Sequence, residues 1–412
     1  MNATVKSDFD MRPRRGLAGA TVLQIVPTLQ PNRTAHVAVN VAQALVRIGA
    51  RAIIAGEDGP LVETVKSFGG EWVYYPDTTF NFFKLKSNVE LLARLVKREG
   101  IDIVHAKGVG AAWSALPAVA HAGANLVTEL PDLSPAQLML GGTYLRAVSS
   151  GDRIIAPSAF EAKPIIERYR VPRERIKVIP RGIDIASFDP ARINPARVVA
   201  LRQTWGVPSG AHVVLAPGSL ALWNGQATLV EAARILLETG VRSVTFVLAG
   251  DDRRHRRHVR ALVRLAQANG VYPLFRIIGE CQDMPTALAA ADIVVIPWIK
   301  PPVSGRAVAE AQAMARPVIT STAGPLGEYL LAPPQVPDDL RTGWAVPPGA
   351  AHELARALGE ALALDVDAYR KLSARARQFA AYMFSPESVV TATLEVYISL
   401  LQAATYADVT NI

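Results

Sequence analysis

Apolar positions along this chain fall into short β-branched runs separated by longer stretches with helical spacing. Runs at 21–26, 51–55, 72–75, 103–105, 126–130, 153–156 and 176–179 read as strands. Helical spacing occupies 35–48, closed by Gly49, and then 60–68, 87–100, 113–120 and 159–169. Ser87 and Glu90 form a capping box that is expected to open the third of these helices. Strands alternating with helices in this way build a parallel sheet covered on both faces.

The stretch 183–207 carries Pro190 and Pro195, with Pro208 immediately after, and reads as irregular. A domain boundary is therefore expected near residue 185. Alternation restarts beyond it, with strands at 212–216, 244–248, 275–278, 293–296 and 318–320 and helices at 226–239, 255–269, 284–290 and 306–315. Three late helices follow near 351–363, 367–382 and 386–404, the last long enough to return to the first half. The expected organisation is a polar arm over 1–19, doubly wound domains over 20–185 and 186–384, and a returning helix over 385–412.

Chemistry concentrates at 293–321. The run Ile293–Ile296 is stopped by Pro297, Pro301 and Pro302, and Ser304 is expected to cap the helix that follows. A helix starting just past a strand end turns free N–H groups toward the crevice there, which favours an anion such as a phosphate. Gly305 and Arg306 open that turn, and Arg306 and Glu310 share one helix face.

At 412 residues with half of them apolar, the chain has ample material for two cores. Its net charge of +8 points to anionic partners, among them nucleotide phosphates and acidic lipid headgroups. No basic and aromatic interleaved stripe points to nucleic acid. One cysteine, Cys281, excludes an internal disulfide framework and a multi-cysteine metal site. Gly108 and Gly110 lack the rest of a dinucleotide fingerprint. There is no apolar leader segment and no run approaching a membrane span, so a soluble or peripheral protein at the cytoplasmic face is expected.

Four segments carry a family resemblance: Asp102-Ile-Val-His-Ala106, Val178-Ile-Pro-Arg-Gly-Ile-Asp184, Asp283-Met-Pro285, and Gly305-Arg306 through Glu310 to Pro317-Val318. With two halves of this kind, the chain resembles the retaining GT-B glycosyltransferases of the family 4 group, which include bacterial envelope-polysaccharide and lipopolysaccharide-core enzymes. The resemblance implies two Rossmann-like domains facing across a cleft. It also implies transfer of a sugar from a nucleotide-sugar donor to an envelope glycan or lipid-linked acceptor, without a cofactor or bound metal. On it, Glu310 meets the nucleotide ribose, the Ser304–Gly305–Arg306 helix start meets the diphosphate or sugar, and Ser219 and Asn224 make neutral phosphate contacts. No catalytic base is assigned.

Departures cluster where the family's chemistry sits. The loop Gln30-Pro31-Asn32-Arg33-Thr34 lacks the family's glycines. Ser219 stands where the family has arginine and Asn224 where it has lysine; Pro302 replaces the first of two glutamates eight positions apart. Pro131-Asp132 replaces a His-Gly pair. Arg181, Arg253 and Arg254 are candidate replacement cations. A second reading stays open beside transfer: a catalytically silent relative that binds a donor, a glycan or an active paralogue as a scaffold or regulatory subunit. Outside the motifs, His105 reads as a packing or hydrogen-bonded residue, and Lys107 and Arg33 as exposed loop cations. The segment 80–86 mixes Phe and Lys and suits either core packing or an anionic membrane interface.

Overall fold

A computed structural model describes residues 16–76, 82–120, 122–131, 142–251 and 253–410. The first half comprises β1 (Thr21–Thr28), α1 (Arg33–Arg47), β2 (Arg51–Glu57), α2 (Leu61–Ser67), β3 (Glu71–Tyr74), α3 (Phe82–Glu99), β4 (Ile103–Lys107) and α4 (Val109–Ala120). It continues through β5 (Asn125–Glu129), β6 (Arg153–Ala156), α5 (Ala159–Tyr169) and β7 (Ile176–Val178). The strands form a seven-stranded parallel sheet in the order β3-β2-β1-β4-β5-β6-β7.

The second half comprises α6 (Pro195–Thr204), β8 (His212–Pro217), α7 (Gln226–Glu238), β9 (Val244–Ala249), α8 (Arg256–Ala268), β10 (Phe275–Ile277), α9 (Met284–Ala290) and β11 (Ile293–Ile296). After these come α10 (Arg306–Ala313), β12 (Val318–Ser321), β13 (Gly343–Val346), α11 (Ala351–Leu362), α12 (Val366–Phe384) and α13 (Pro386–Thr410). Its parallel sheet has the order β10-β9-β8-β11-β12-β13. Strands β9 and β11 are buried along their whole length because helices cover both faces, which is why they read as unbroken apolar runs.

The architecture is the expected α/β one, two Rossmann-like domains with α13 returning to the first. Val389, Val396, Tyr397 and Leu400 of α13 join one core with Val39, Val41 and Leu45 of α1. The Ile183 amide donates to the Phe384 carbonyl at 2.8 Å, which ties the start of that return to the segment linking the domains.

Several local expectations are corrected. The 183–207 stretch is not irregular throughout, since Pro195 takes the first helical position of α6, where a missing N–H costs nothing, and Asn194 caps it. Helix α3 begins at Phe82, upstream of the Ser87 and Glu90 pair. β13 was missed because four residues opening with glycine carry too little pattern; Gly343 is needed there, a Cβ standing 2.3 Å from the Val318 carbonyl. Leu17, assigned to the polar arm, is buried against the first core. Residues 1–15 lie outside the described residues, as do 80, 81 and Asp132.

Candidate functional site

In each sheet the connections reverse direction once, between β1 and β4 and between β8 and β11. Loops leaving the carboxyl ends of strands at such a reversal flank a crevice. In the second domain these are the loops 218–225 and 297–305, after β8 and β11. They are bound to one another. The Ile299 amide donates to the Trp223 carbonyl at 2.9 Å. Gly225 has φ +71°, and a Cβ there would stand 1.9 Å from the Pro297 carbonyl oxygen. Both the conformation and the close approach demand glycine.

Ser219 and Asn224 meet inside the first loop. Asn224 is buried, and its Nδ2 donates to the Ser219 carbonyl at 2.8 Å and to Ser219 Oγ at 3.2 Å. Gln226 Nε2 adds a bond to the same carbonyl at 3.0 Å. Both hydrogens of the Asn224 amide are thereby engaged within the loop, while the Ser219 hydroxyl keeps its own proton to donate. Neither residue brings charge to the crevice.

The start of α10 differs from expectation at one position. Its cap is Gly305, without a side-chain hydrogen bond, and Ser304 lies one residue outside. The Tyr329 ring lies so close over this turn that a Cβ on Gly305 would meet Cδ2 at 2.3 Å, so only glycine fits there. Val308 and Ala309 donate to the Gly305 carbonyl at 2.9 and 3.2 Å, so the first-turn donors are the Arg306 and Ala307 amides. Arg306 and Glu310 pair along one face, Arg306 exposed and Glu310 buried. Burial pushes the Glu310 carboxyl up, and the Arg306 hydrogen bond pulls it part of the way back.

The first domain reaches the same place through Arg181. Its guanidinium lies 3.3 Å from the Val303 carbonyl, 3.3 Å from the Pro131 carbonyl and 3.4 Å from Glu161. Arg181 thus contacts the 297–305 loop directly. Arg253 and Arg254 instead stand exposed ahead of α8, beside the other loop through a ring contact of 5.7 Å between His255 and Trp223.

Three residues that the sequence reading did not single out complete this junction. Glu161 accepts from the Ser158 hydroxyl at 2.8 Å while its amide donates to Ser158 Oγ at 3.1 Å. The Ser158-x-x-Glu161 spacing was a legible capping box. Glu328 lays its carboxylate on the amino end of α5, accepting from the Ala159 amide at 2.6 Å and the Phe160 amide at 2.8 Å. Tyr329 stacks on Phe384 with centroids 4.9 Å apart. Burial raises its hydroxyl above the usual tyrosine range, opposed by Arg181 and by the backbone of Gly305 and Arg181.

At the first domain's own reversal, Asn32 caps α1 by accepting from the Ala35 amide at 3.0 Å, which explains a polar rather than glycine-rich loop. Lys107 is buried, not exposed, and its Nζ lies 2.6 Å from Glu129 Oε2. His105 is fully buried, with Nδ1 2.7 Å from the Tyr397 hydroxyl and Nε2 3.4 Å from Glu129. Burial, reinforced by the Lys107 charge, pushes His105 down to about 4, so the ring is neutral near pH 7. Burial works against the Glu129 carboxylate, yet Lys107 and His105 hold its carboxyl well below the usual range. An open hollow of about 530 Å³ lies between the loop after β1 and the β2–α2 connection, lined by Gln30, Asp58, Gly59 and Trp72. Among the described residues, no three His, Cys, Asp or Glu side chains group to hold a metal, and no helix is long and apolar enough to cross a membrane.

Comparison with known proteins agrees with this fold. Residues 34–187 match the family described as Glycosyltransferase Family 4, and residues 211–363 match Glycosyl transferases group 1. A protein from Nocardioides sp. named D-inositol 3-phosphate glycosyltransferase is 26% identical over 347 residues, spanning 81% of this chain and 70% of the relative. The crystal structure of a glycosyltransferase from Rickettsia africae superposes with a TM-score of 0.71 at 25% identity, covering 93% of this chain and 99% of that one. Anabaena HepE, solved in complex with UDP, shares the fold with a TM-score of 0.66 at 22% identity over 92% of this chain and 100% of its own.

Proposed function

We infer, from the premise that this chain belongs to the GT-B glycosyltransferases, that it binds a nucleotide-sugar at the crevice between loops 218–225 and 297–305 without efficient sugar transfer. The observation that carries this reading is the Ser219–Asn224 pair, two neutral side chains hydrogen-bonded to each other where the family has two cations. A preorganised charged donor at developing negative charge is worth about 3 kcal/mol of transition-state stabilisation, so losing two slows transfer by several orders of magnitude.

Donor binding draws on groups that are retained. Glu310 takes the ribose hydroxyls, the Arg306 and Ala307 amides take the diphosphate, and the Ser219 hydroxyl adds a neutral donor. Arg181 supplies a cation from the first domain that touches the 297–305 loop. Asn224, Ser304 and Gly305 shape the crevice. Support for the donor class comes from a protein of the same fold solved with UDP. The finer reading is a relative of bacterial envelope lipopolysaccharide or polysaccharide enzymes, at the cytoplasmic face in peripheral contact with anionic membrane. It engages a glycan or lipid-linked acceptor, or an active paralogue that it regulates.

A second reading, slow but real transfer with retained configuration and no metal, is favoured by the survival of Glu310 and the α10 start. Calorimetry with UDP-, GDP- and ADP-sugars, followed by hydrolysis and transfer assays with the bound donor, separates the two. Expected are binding of one donor class without turnover and a roughly ten- to hundredfold weaker affinity in Glu310→Ala, the range for a hydrogen bond to a charged group. Turnover that Glu310→Ala abolishes would overturn the silent reading. Ser219→Arg is expected to tighten donor binding by itself. Adding Asn224→Lys restores the second cation but removes the bonds that pin the loop.

A further inference from the structure

The surplus positive charge of this chain has a definite address. Arg253, Arg254, Arg256, Arg257, Arg260 and Arg264 are all exposed, and α8 from Arg256 to Ala268 contains no acidic residue. Among the described residues only Arg254 of the six has an ion-pair partner, Asp251 at 3.6 Å. Arg257, Arg260 and Arg264 line up on one stripe at helical spacing, opposite Leu262 and Ala266, which are buried in the core of the second domain. The core side of α8 is thus fixed by packing, and its outer side is a row of exposed arginines.

Beside the amino end of this row stand two large, exposed apolar side chains. Leu222 is 66% exposed and Trp223 45%, and the Trp223 ring is braced edge-on by His255. A flat cationic face bordered by an exposed tryptophan and leucine is complementary to an anionic lipid surface. The arginines meet the headgroups, and the two apolar side chains enter the headgroup boundary. Because Leu222 and Trp223 belong to the 218–225 loop, this face opens beside the donor crevice.

We propose that the exposed face of α8, with Leu222 and Trp223, docks this protein on anionic lipid. The proposal deepens the membrane-contact reading above and rests on it for its purpose. It is nevertheless measured apart from donor binding, so the two fail separately.

The test is sedimentation of the full chain with vesicles of phosphatidylcholine alone or with phosphatidylglycerol added. Binding is expected only to the anionic vesicles, and it is expected to weaken as salt rises. Arg257→Glu with Arg260→Glu is expected to lower the affinity by roughly tenfold or more. Arg370→Glu with Lys371→Glu, the same change in net charge on exposed positions of α12, is expected to leave it unchanged. Thermal unfolding of both variants and calorimetry with a nucleotide-sugar serve as controls for fold and donor crevice. Absence of binding to anionic vesicles overturns the proposal, as does an equal loss in both double variants, which would mean that only net charge matters. Retention on duplex DNA without vesicle binding would assign the face to nucleic acid and likewise overturn it.

Discussion

His105 shows how far a single buried side chain can set a property of the whole fold. Its folded value of about 4 lies below the ordinary value near 6.5, so between those limits the unfolded chain binds more protons than the folded one. Stability is therefore full above about pH 6.5 and falls as the pH drops toward 4, by roughly 3 kcal/mol for this residue. Glu129, held low by Lys107, acts in the same direction at still lower pH. His105→Gln is expected to flatten the slope between pH 6.5 and 4, as read by urea unfolding across that range; an unchanged slope would assign it to other groups. Sequence reading placed His105 among packing or hydrogen-bonded residues, which is where it lies, but took Lys107 for an exposed cation. Lys107 is buried because Glu129 sits beside it on the neighbouring strand, in register across β4 and β5. That pairing is invisible along the chain.

The decisive element is α10 with the strand and loop before it. Its existence, its Arg306 and Glu310 face and its position after β11 are legible in the apolar run, the prolines and the helix-forming stretch. Its cap is not: Ser304 is the better capping residue by propensity, yet the cap falls on Gly305, where the Tyr329 ring leaves room for no side chain. Gly305→Ala is expected to destabilise the protein by about 1–3 kcal/mol, the usual cost of forcing an extra carbon into a packed position. The loss should appear as a lower thermal midpoint together with weaker donor binding. Full stability in this variant would mean that Tyr329 moves aside freely. On α5 the Ser158 and Glu161 capping box was readable, but its second use, presenting Glu161 to Arg181, was not.

At the scale of the whole molecule, the two domains are joined by polar contacts around the crevice and by the return of α13 onto α1. Arg181 bridges Pro131 and Val303, and Glu328 sets a negative charge on the positive end of α5. These contacts are small and partly exposed, of the kind that opens and closes, whereas the return of α13 onto α1 buries a continuous apolar surface. Glu328→Gln is expected to speed amide exchange at Ala159 and Phe160 several-fold and to widen the cleft measured by small-angle scattering, with little change in thermal midpoint. Exchange as slow as in the unchanged protein would mean that the amino end of α5 is satisfied without the second domain.

Alternation of short buried apolar runs with stretches of helical spacing was enough to determine two doubly wound domains and a long last helix, because those features are written as local runs and a 3.6-residue period along the chain. Composition located a positive surplus without an address. Tertiary structure decided which residues face one another. It turned Asn224 onto Ser219, drew Arg181 to the approach of α10, buried Lys107 against Glu129 and set the α8 arginines on an exposed stripe. Each of these depends on contacts between residues distant in sequence or on the geometry of a loop, where the backbone carries no repeating pattern to read.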